Sequence, residues 1–339
     1  MTHQGVPLRH LEAMEPFAVG QGRPTDMGCD EVGRCLGAEV TAVRDLPAPP
    51  STSYALRRLL VEFADGRTLD VFLKEFDVSP HAPHVALQRG ARERYVYEKV
   101  LAGRHLGTPE LYGVVWDDRG GWHWLLLEFV EGHKLRRHPI VDRVAAAAWL
   151  ARLHASISGH EADLARPGLL LRYDDEYFRD TAERALRAVG SRFNALRRRL
   201  EVAVAGYDDH IEKICSAEPT VVHGSYRPKN VLVDTRRTPQ RICPIDWELA
   251  AIGPPLHDLA FLADGCDRPE VELLCESYVA QAATRGLVIS CTGEIPVQLE
   301  RLRLHKALRS LARSAEWAYP EEIVTKIVAK AETIRRGLD

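Results

Sequence analysis

His223-Gly224-Ser225-Tyr226-Arg227-Pro228-Lys229-Asn230 follows two valines and runs directly into Val231-Leu232-Val233. Polar groups therefore crowd a tight loop between two apolar runs, the pattern of a turn that projects side chains from a buried hairpin. Sixteen residues after Asn230, the run Ile242-Cys243-Pro244-Ile245 ends in Asp246-Trp247-Glu248. An amide and a carboxylate at adjacent strand ends can share one Mg²⁺, a hard cation that takes a few protein oxygens and leaves the rest to phosphate and water. The alternative is that Asn230 and Asp246 only cap backbone groups, the commoner use of a single Asn or Asp. For the pair in this setting the metal reading ranks first.

Upstream of this island the text is strand-like. AEVTAVRDL from Ala38, YALRRLLVEF, TLDVFLKEF, ELYGVVW and WHWLLLEFV are β-rich runs joined by turn chemistry such as Ala64-Asp65-Gly66. One helical stripe, HVALQRGARERYVYEKVLAG, crosses between the third and fourth. Five strands and one helix over 38–130 predict a small antiparallel-sheet lobe. Beyond Glu131 and Gly132 the chain reads as mainly helical over 131–339, with apolar stripes in VDRVAAAAWLARLHASI, DEYFRDTAERALRAVGSRFNALRRRL and three later segments. Residues 1–37 show no clear period and read as a loosely structured lead-in. The expected fold class is α+β, with two lobes.

Composition limits what such a chain does. At 339 residues, 45% hydrophobic and 27% charged, it is long enough for one bilobal unit or two domains. A formal net charge of −3 lacks the signature of a nucleic-acid or membrane-surface binder. No stretch of signal-peptide length opens the sequence and no run of about 18 apolar residues occurs, so a cytoplasmic location is expected, with no membrane partner. Seven dispersed cysteines without a C-x-x-C pair argue against a disulfide framework or zinc knuckle. P-loop, Rossmann, zincin and nucleophile-elbow motifs are all missing. Of 45 basic side chains only eight are lysine. Lys74, which interrupts Val71-Phe72-Leu73, must then put its ammonium in a cleft or at an exposed strand edge, because burial without an anion is costly.

H-G-x-x-x-x-x-N, then Ile245-Asp246-Trp247-Glu248, then Gly253-Pro254-Pro255-Leu256-His257-Asp258-Leu259-Ala260, together resemble the aminoglycoside phosphotransferase and choline kinase family, which shares the protein-kinase fold. The resemblance runs from about residue 38 to the end. It implies that Lys74 holds the α- and β-phosphates of ATP or GTP, that Glu93 positions Lys74, with Glu98 the rival on the same helix, and that Asn230 and Asp246 bind Mg²⁺. It implies that Glu128 to Val130 form a hinge whose backbone meets the purine, that Ser53 stands where a phosphate-covering flap would, and that Asp258 and His223 brace the loop. His154 also fits the family and reads as a satisfied core histidine.

The departure lies at Ser225. Members of the family usually carry Asp there, which orients the attacking hydroxyl and accepts its proton. A serine is no base at neutral pH, and general-base help is worth about 10² to 10⁴ in rate. Phosphoryl transfer, however, draws most of its acceleration from positioning and charge stabilisation. Arg227 and Lys229 remain on the loop, and Glu248 is a candidate substitute base. The expected activity is therefore an ATP- or GTP-dependent O-phosphotransferase acting on a small molecule. The alternative is a catalytically impaired, pseudokinase-like protein that holds a nucleotide or metabolite. For the acceptor, Asp174, Asp175 and Glu176, and as a second group Glu316, Trp317, Glu321 and Glu322, with Glu248, could receive an amine- or sugar-containing compound, although a tryptophan such as Trp317 is more often core. Acidic helix starts are also ordinary capping chemistry, and that reading ranks higher for the first group.

Overall fold

The computed structural model describes residues 28–48, 54–76, 82–117, 121–287 and 294–338. They divide into two compact units. The first contains residues up to Ala102, Pro109–Glu131 and Ala165–Leu169, and the second contains Gly103–Thr108, Gly132–Leu164 and the chain from Leu170 onward.

The first unit is an antiparallel sheet of β1 (Val40–Leu46), β2 (Ala55–Phe63), β3 (Thr68–Glu75), β4 (Leu111–Asp117) and β5 (Trp122–Glu128), in the order β1-β2-β3-β5-β4. Alternation sends Leu59, Val61 and Phe63 of β2, Val71 and Leu73 of β3 and Trp124 and Leu126 of β5 into one core. Val32 closes that core from α1 (Cys29–Leu36). This helix corrects the expectation for residues 28–37, the rest of the lead-in lying outside the described residues: Val32, Cys35 and Leu36 make an i, i+3, i+4 stripe against the sheet, but eight residues with Gly33 inside are too short to announce a helix without that burial. The crossing helix is α2 (Pro83–Tyr95), continued by a wide π-type turn at Val96–Leu101.

The second unit is mainly helical, with α3 (Ile140–Ile157), α4 (Glu161–Ala165), α5 (Asp175–Gly190), α6 (Asn194–Ala203), α7 (Tyr207–Cys215), α8 (Leu256–Leu262), α9 (Arg268–Ala283), α10 (Ile295–Ala312) and α11 (Glu321–Leu338). The long stripe after Asp175 is two helices, because the chain turns at Ser191–Phe193. Six short strands make two small sheets. One orders β10 (Arg241–Pro244), β9 (Val231–Asp234) and β6 (His133–Lys134), and the other β7 (Leu171–Arg172), β11 (Ala251–Gly253) and β8 (Thr220–Val222). β9 and β10 are the expected hairpin, with Val231 opposite Pro244. Among the described residues no helix is long and apolar enough to cross a membrane.

Candidate active site

Lys74 lies on β3 opposite Leu56 of β2 and Leu125 of β5, so its strand is central, and the residue is only 3% exposed. The edge-strand alternative is gone. A buried ammonium needs an anion, and Lys74 Nζ donates to Glu93 Oε2 at 2.7 Å. Glu93 can reach because Phe76, the residue after β3, lays its ring against Gly90 of α2; a Cβ at Gly90 would lie 2.6 Å from that ring. Removing a side chain there lets the helix approach the strand, and Glu93 follows about one turn later. The rings of Tyr54 and Phe76 flank the ammonium at 4.9 and 5.4 Å. Glu98 instead pairs with Arg94 at 3.0 Å.

At the end of β5 the Glu128 N–H donates to Glu110 O at 2.8 Å and the Phe129 N–H to Asp70 O at 3.4 Å. The Arg58 guanidinium, bonded to Asp70, stands 3.8 Å over the Phe129 ring, and Val130 is buried. Ser53 lies outside the described residues.

The loop from His223 to Asn230 belongs to the second unit and hangs from buried anchors. Tyr226 points inward, stacks on Trp149 of α3 at 5.8 Å and donates its hydroxyl to Ala146 O at 3.1 Å. Its neighbours Ser225 and Arg227 are consequently only half-buried. Asp258 of α8, fully buried, accepts from the N–H groups of His223 and Gly224. Burial pushes its carboxyl up, but the hydrogen bond and charge of His257, with the His223 contacts, outweigh this and hold it below the ordinary value. Gly224 sits at φ +75°, and a Cβ there would lie 1.9 Å from Leu249 O. Only glycine fits this turn.

His223 is fully buried. Burial pushes its imidazole below the ordinary pKa, with Asp258 and the Ile245 carbonyl opposing. In the neutral ring Nδ1 accepts from the Ser225 N–H at 3.3 Å, which makes Nε2 the donor to Ile245 O at 2.9 Å. His223 thereby ties the loop to the strand end that carries Asp246. On the other side the Asn230 carbonyl accepts from the Ile245 N–H at 2.9 Å. Asn230 Nδ2 donates to Ser225 O at 3.0 Å and lies 3.3 Å from Ser225 Oγ. These bonds fix the amide orientation and leave Oδ1 as the atom suited to a cation. Asp246 adopts φ +67°, uncommon for a residue with a Cβ, and flanks the same hairpin end. The two oxygen donors suit a hard cation that takes its remaining ligands from phosphate and water. Among the described residues no group of three or more His, Cys, Asp or Glu gathers to hold a metal.

The other sequence candidates scatter. Lys229 is exposed, and Glu248 is half-buried in the turn Trp247–Leu249. Asp174 caps α5 by accepting from the Tyr177 N–H at 3.0 Å, and Asp175 lies 4.0 Å from Arg179. Trp317 is 58% exposed and is not core. His154 is buried with Nδ1 2.8 Å from the Tyr278 hydroxyl. Sequence reading missed Arg309 of α10, whose Nη1 donates to Gly224 O at 3.0 Å, and Tyr173, whose hydroxyl donates to Leu249 O at 3.0 Å. Nothing local marks either residue.

Comparison with known proteins adds a frame to this geometry. Residues 43–287 match the model of a family described as the phosphotransferase enzyme family. No curated protein matches the chain. Among solved structures, the GDP complex of wild-type aminoglycoside 2'-phosphotransferase-IIIa aligns at a TM-score of 0.61 with 14% identity, covering 88% of this chain and 93% of that one. A microcompartment-associated aminopropanol kinase aligns at 0.59 with 18% identity over 90% and 94%. A macrolide 2'-phosphotransferase from Brachybacterium faecium aligns at 0.57 with 19% identity over 89% and 95%. At these identities the likeness is one of fold, the kinase-like fold of those enzymes.

Proposed function

The chain belongs to the phosphotransferase enzyme family, and from that premise we propose that it transfers the terminal phosphoryl group of ATP or GTP to a hydroxyl of a small molecule. The buried Lys74–Glu93 pair carries this reading. A lysine ammonium fixed by a buried carboxylate on a central strand is a preset positive charge of the kind that grips α- and β-phosphate oxygens. Glu128 and Phe129 have committed their N–H groups within the sheet, so the Val130 backbone is the next donor available to a purine. Asn230 and Asp246 would hold Mg²⁺, which when bound neutralises charge on the phosphates. The solved GDP complex of a protein with this fold agrees with a nucleoside phosphate as co-substrate.

In the transfer, the bond between the β–γ bridging oxygen and the γ-phosphorus breaks as the acceptor oxygen bonds to that phosphorus, and the acceptor's proton must leave. Ser225 Oγ orients the hydroxyl by hydrogen bonding but does not keep the proton at neutral pH. The proton departs late, to water or to another carboxylate, and the rate rests on positioning. Ser225 also favours the second reading, a nucleotide-holding protein without turnover. Titration calorimetry with Mg²⁺-ATP and Mg²⁺-GTP on wild type, Lys74→Ala and Asp246→Ala tests the nucleotide site: both variants should bind more weakly by at least tenfold. Unchanged affinity in both removes the proposal. Nucleotide bound but never consumed across a panel of alcohol-bearing metabolites selects the second reading.

A further inference from the structure

Beside the loop, the second unit gathers positive charge that its carboxylates do not balance. Arg227, Lys306 and Arg309 all stand over the ring of Phe261, at 5.2, 5.2 and 5.4 Å from its centroid. Phe261 offers its π face to three cations at once, an arrangement that lowers but does not cancel their repulsion. Asp264 answers them from the end of α8, 2.7 Å from Lys306 Nζ and 3.6 Å from Lys330 Nζ. Asp258 is already committed to two loop N–H groups and His257. Arg309 spends one arm on Gly224 O. The buried Nε of Arg227, like those of Arg104, Arg152, Arg301 and Arg303, has no hydrogen-bond partner.

The electrostatics agree with the count. Burial lowers the Arg227 pKa, and among its charged neighbours Arg309 and Arg313 push the same way while Asp264 opposes. Lys306 is pushed down to about 8 by burial, despite Asp264, with Arg227 and Lys330 adding to the fall. Of the acids read from the sequence as receivers of a cationic acceptor, Asp174 is spent as a helix cap. Ser225, two residues before Arg227, contributes no negative charge where an aspartate would repel an anion.

We propose that the phosphoryl acceptor carries an anionic group, a carboxylate or a phosphate, and that Arg227 with Lys306 receives it beside Ser225. A guanidinium suits either group, since its planar fork matches two oxygens. The inference rests on the phosphotransferase reading for the word acceptor, but the anion site itself is testable without turnover. The hydroxyl to be phosphorylated would lie a few bonds from the anchored anion, so that Arg227 fixes the acceptor while the Ser225 hydroxyl orients it.

Titration calorimetry would use glycerol 3-phosphate, gluconate and the cation 1-amino-2-propanol as probes, each with and without saturating Mg²⁺-ADP. Filling the nucleotide site separates an acceptor anion from one that merely occupies the phosphate positions of the nucleotide. At least one anion should bind in the presence of Mg²⁺-ADP, the cation should not, and Arg227→Gln and Lys306→Met should each weaken the anion at least tenfold. Arg227→Lys should keep part of the affinity, and Lys306→Met should leave ADP binding unchanged, which reports an intact fold. Phosphate-selective against carboxylate-selective binding separates the two chemical sources. Tighter binding of the cation than of either anion, or anion binding untouched by both charge-removing variants, overturns the proposal. If ADP itself fails to bind while the anion binds and responds to the variants, the nucleotide reading falls and the anion site stands.

Discussion

Gly224→Ala probes the packing that sets the position of Ser225. A methyl at φ +75° meets the general left-handed penalty of about 1–2 kcal/mol for a residue with a Cβ. It also lies 1.9 Å from Leu249 O and 2.7 Å from the Tyr173 hydroxyl, whereas ordinary contact begins at 3.4 Å, so the Leu249 carbonyl and the loop must separate by about 1.5 Å. A shift of that size breaks either the Tyr173 bond to Leu249 O or the Gly224 N–H bond to Asp258, each 3.0 Å long. Losing a buried bond of this kind costs about 1–3 kcal/mol. The expected total is about 2–5 kcal/mol. Gly265 supplies the control, since its φ is +81° and a Cβ there meets nothing within 4 Å. Gly265→Ala should therefore lose only about 1–2 kcal/mol. Denaturant unfolding of both variants at equal slope measures the difference. Equal losses, or a larger loss at Gly265, would refute the argument that the Leu249 carbonyl and Asp258 fix this loop.

Acid should destabilise the fold through its buried histidines. Burial lowers His154 to about 4, so between pH 6.5 and 4 the unfolded chain binds a proton that the folded chain refuses, and stability falls as pH falls. From this residue alone the loss by pH 5 is about 2 kcal/mol, and His305, His223 and His257, all shifted downward by burial, add to it. Unfolding free energies that match at pH 7.5 and pH 5 would contradict this. Ser225→Asp should raise single-turnover transfer by up to about 10²-fold, the lower end of general-base help, while weakening an anionic acceptor. Asn230 Nδ2, already directed at Ser225 Oγ, is placed to hold the new carboxylate. A wild type that is slowed by the substitution at saturating acceptor identifies some other residue as the base.

Lys74, Asn230 and Asp246 stood out in the sequence as candidates, and for a local reason. A rare lysine inside an apolar run, and a polar loop closed by two apolar runs, violate the patterning of their own segments, so neither needs a distant partner to be noticed. The same holds for the five strands, whose alternation is written in neighbouring residues. Glu93 against Glu98 was not decidable that way, since both lie on the same helical stretch. The choice falls to the contact of Phe76 with Gly90, which sets how closely the helix approaches the strand. The helix Cys29–Leu36 was hidden because its stripe of Val32, Cys35 and Leu36 spans little more than one turn. Lys306 shared the scarcity that singled out Lys74, yet in an arginine-rich helical stripe it broke no pattern. The cation cluster around Phe261 and the grip of Arg309 on Gly224, 85 residues away in sequence, exist only after the helices pack. Charge balance at a site is a sum over neighbours in space, and the order of residues along a chain does not contain that sum.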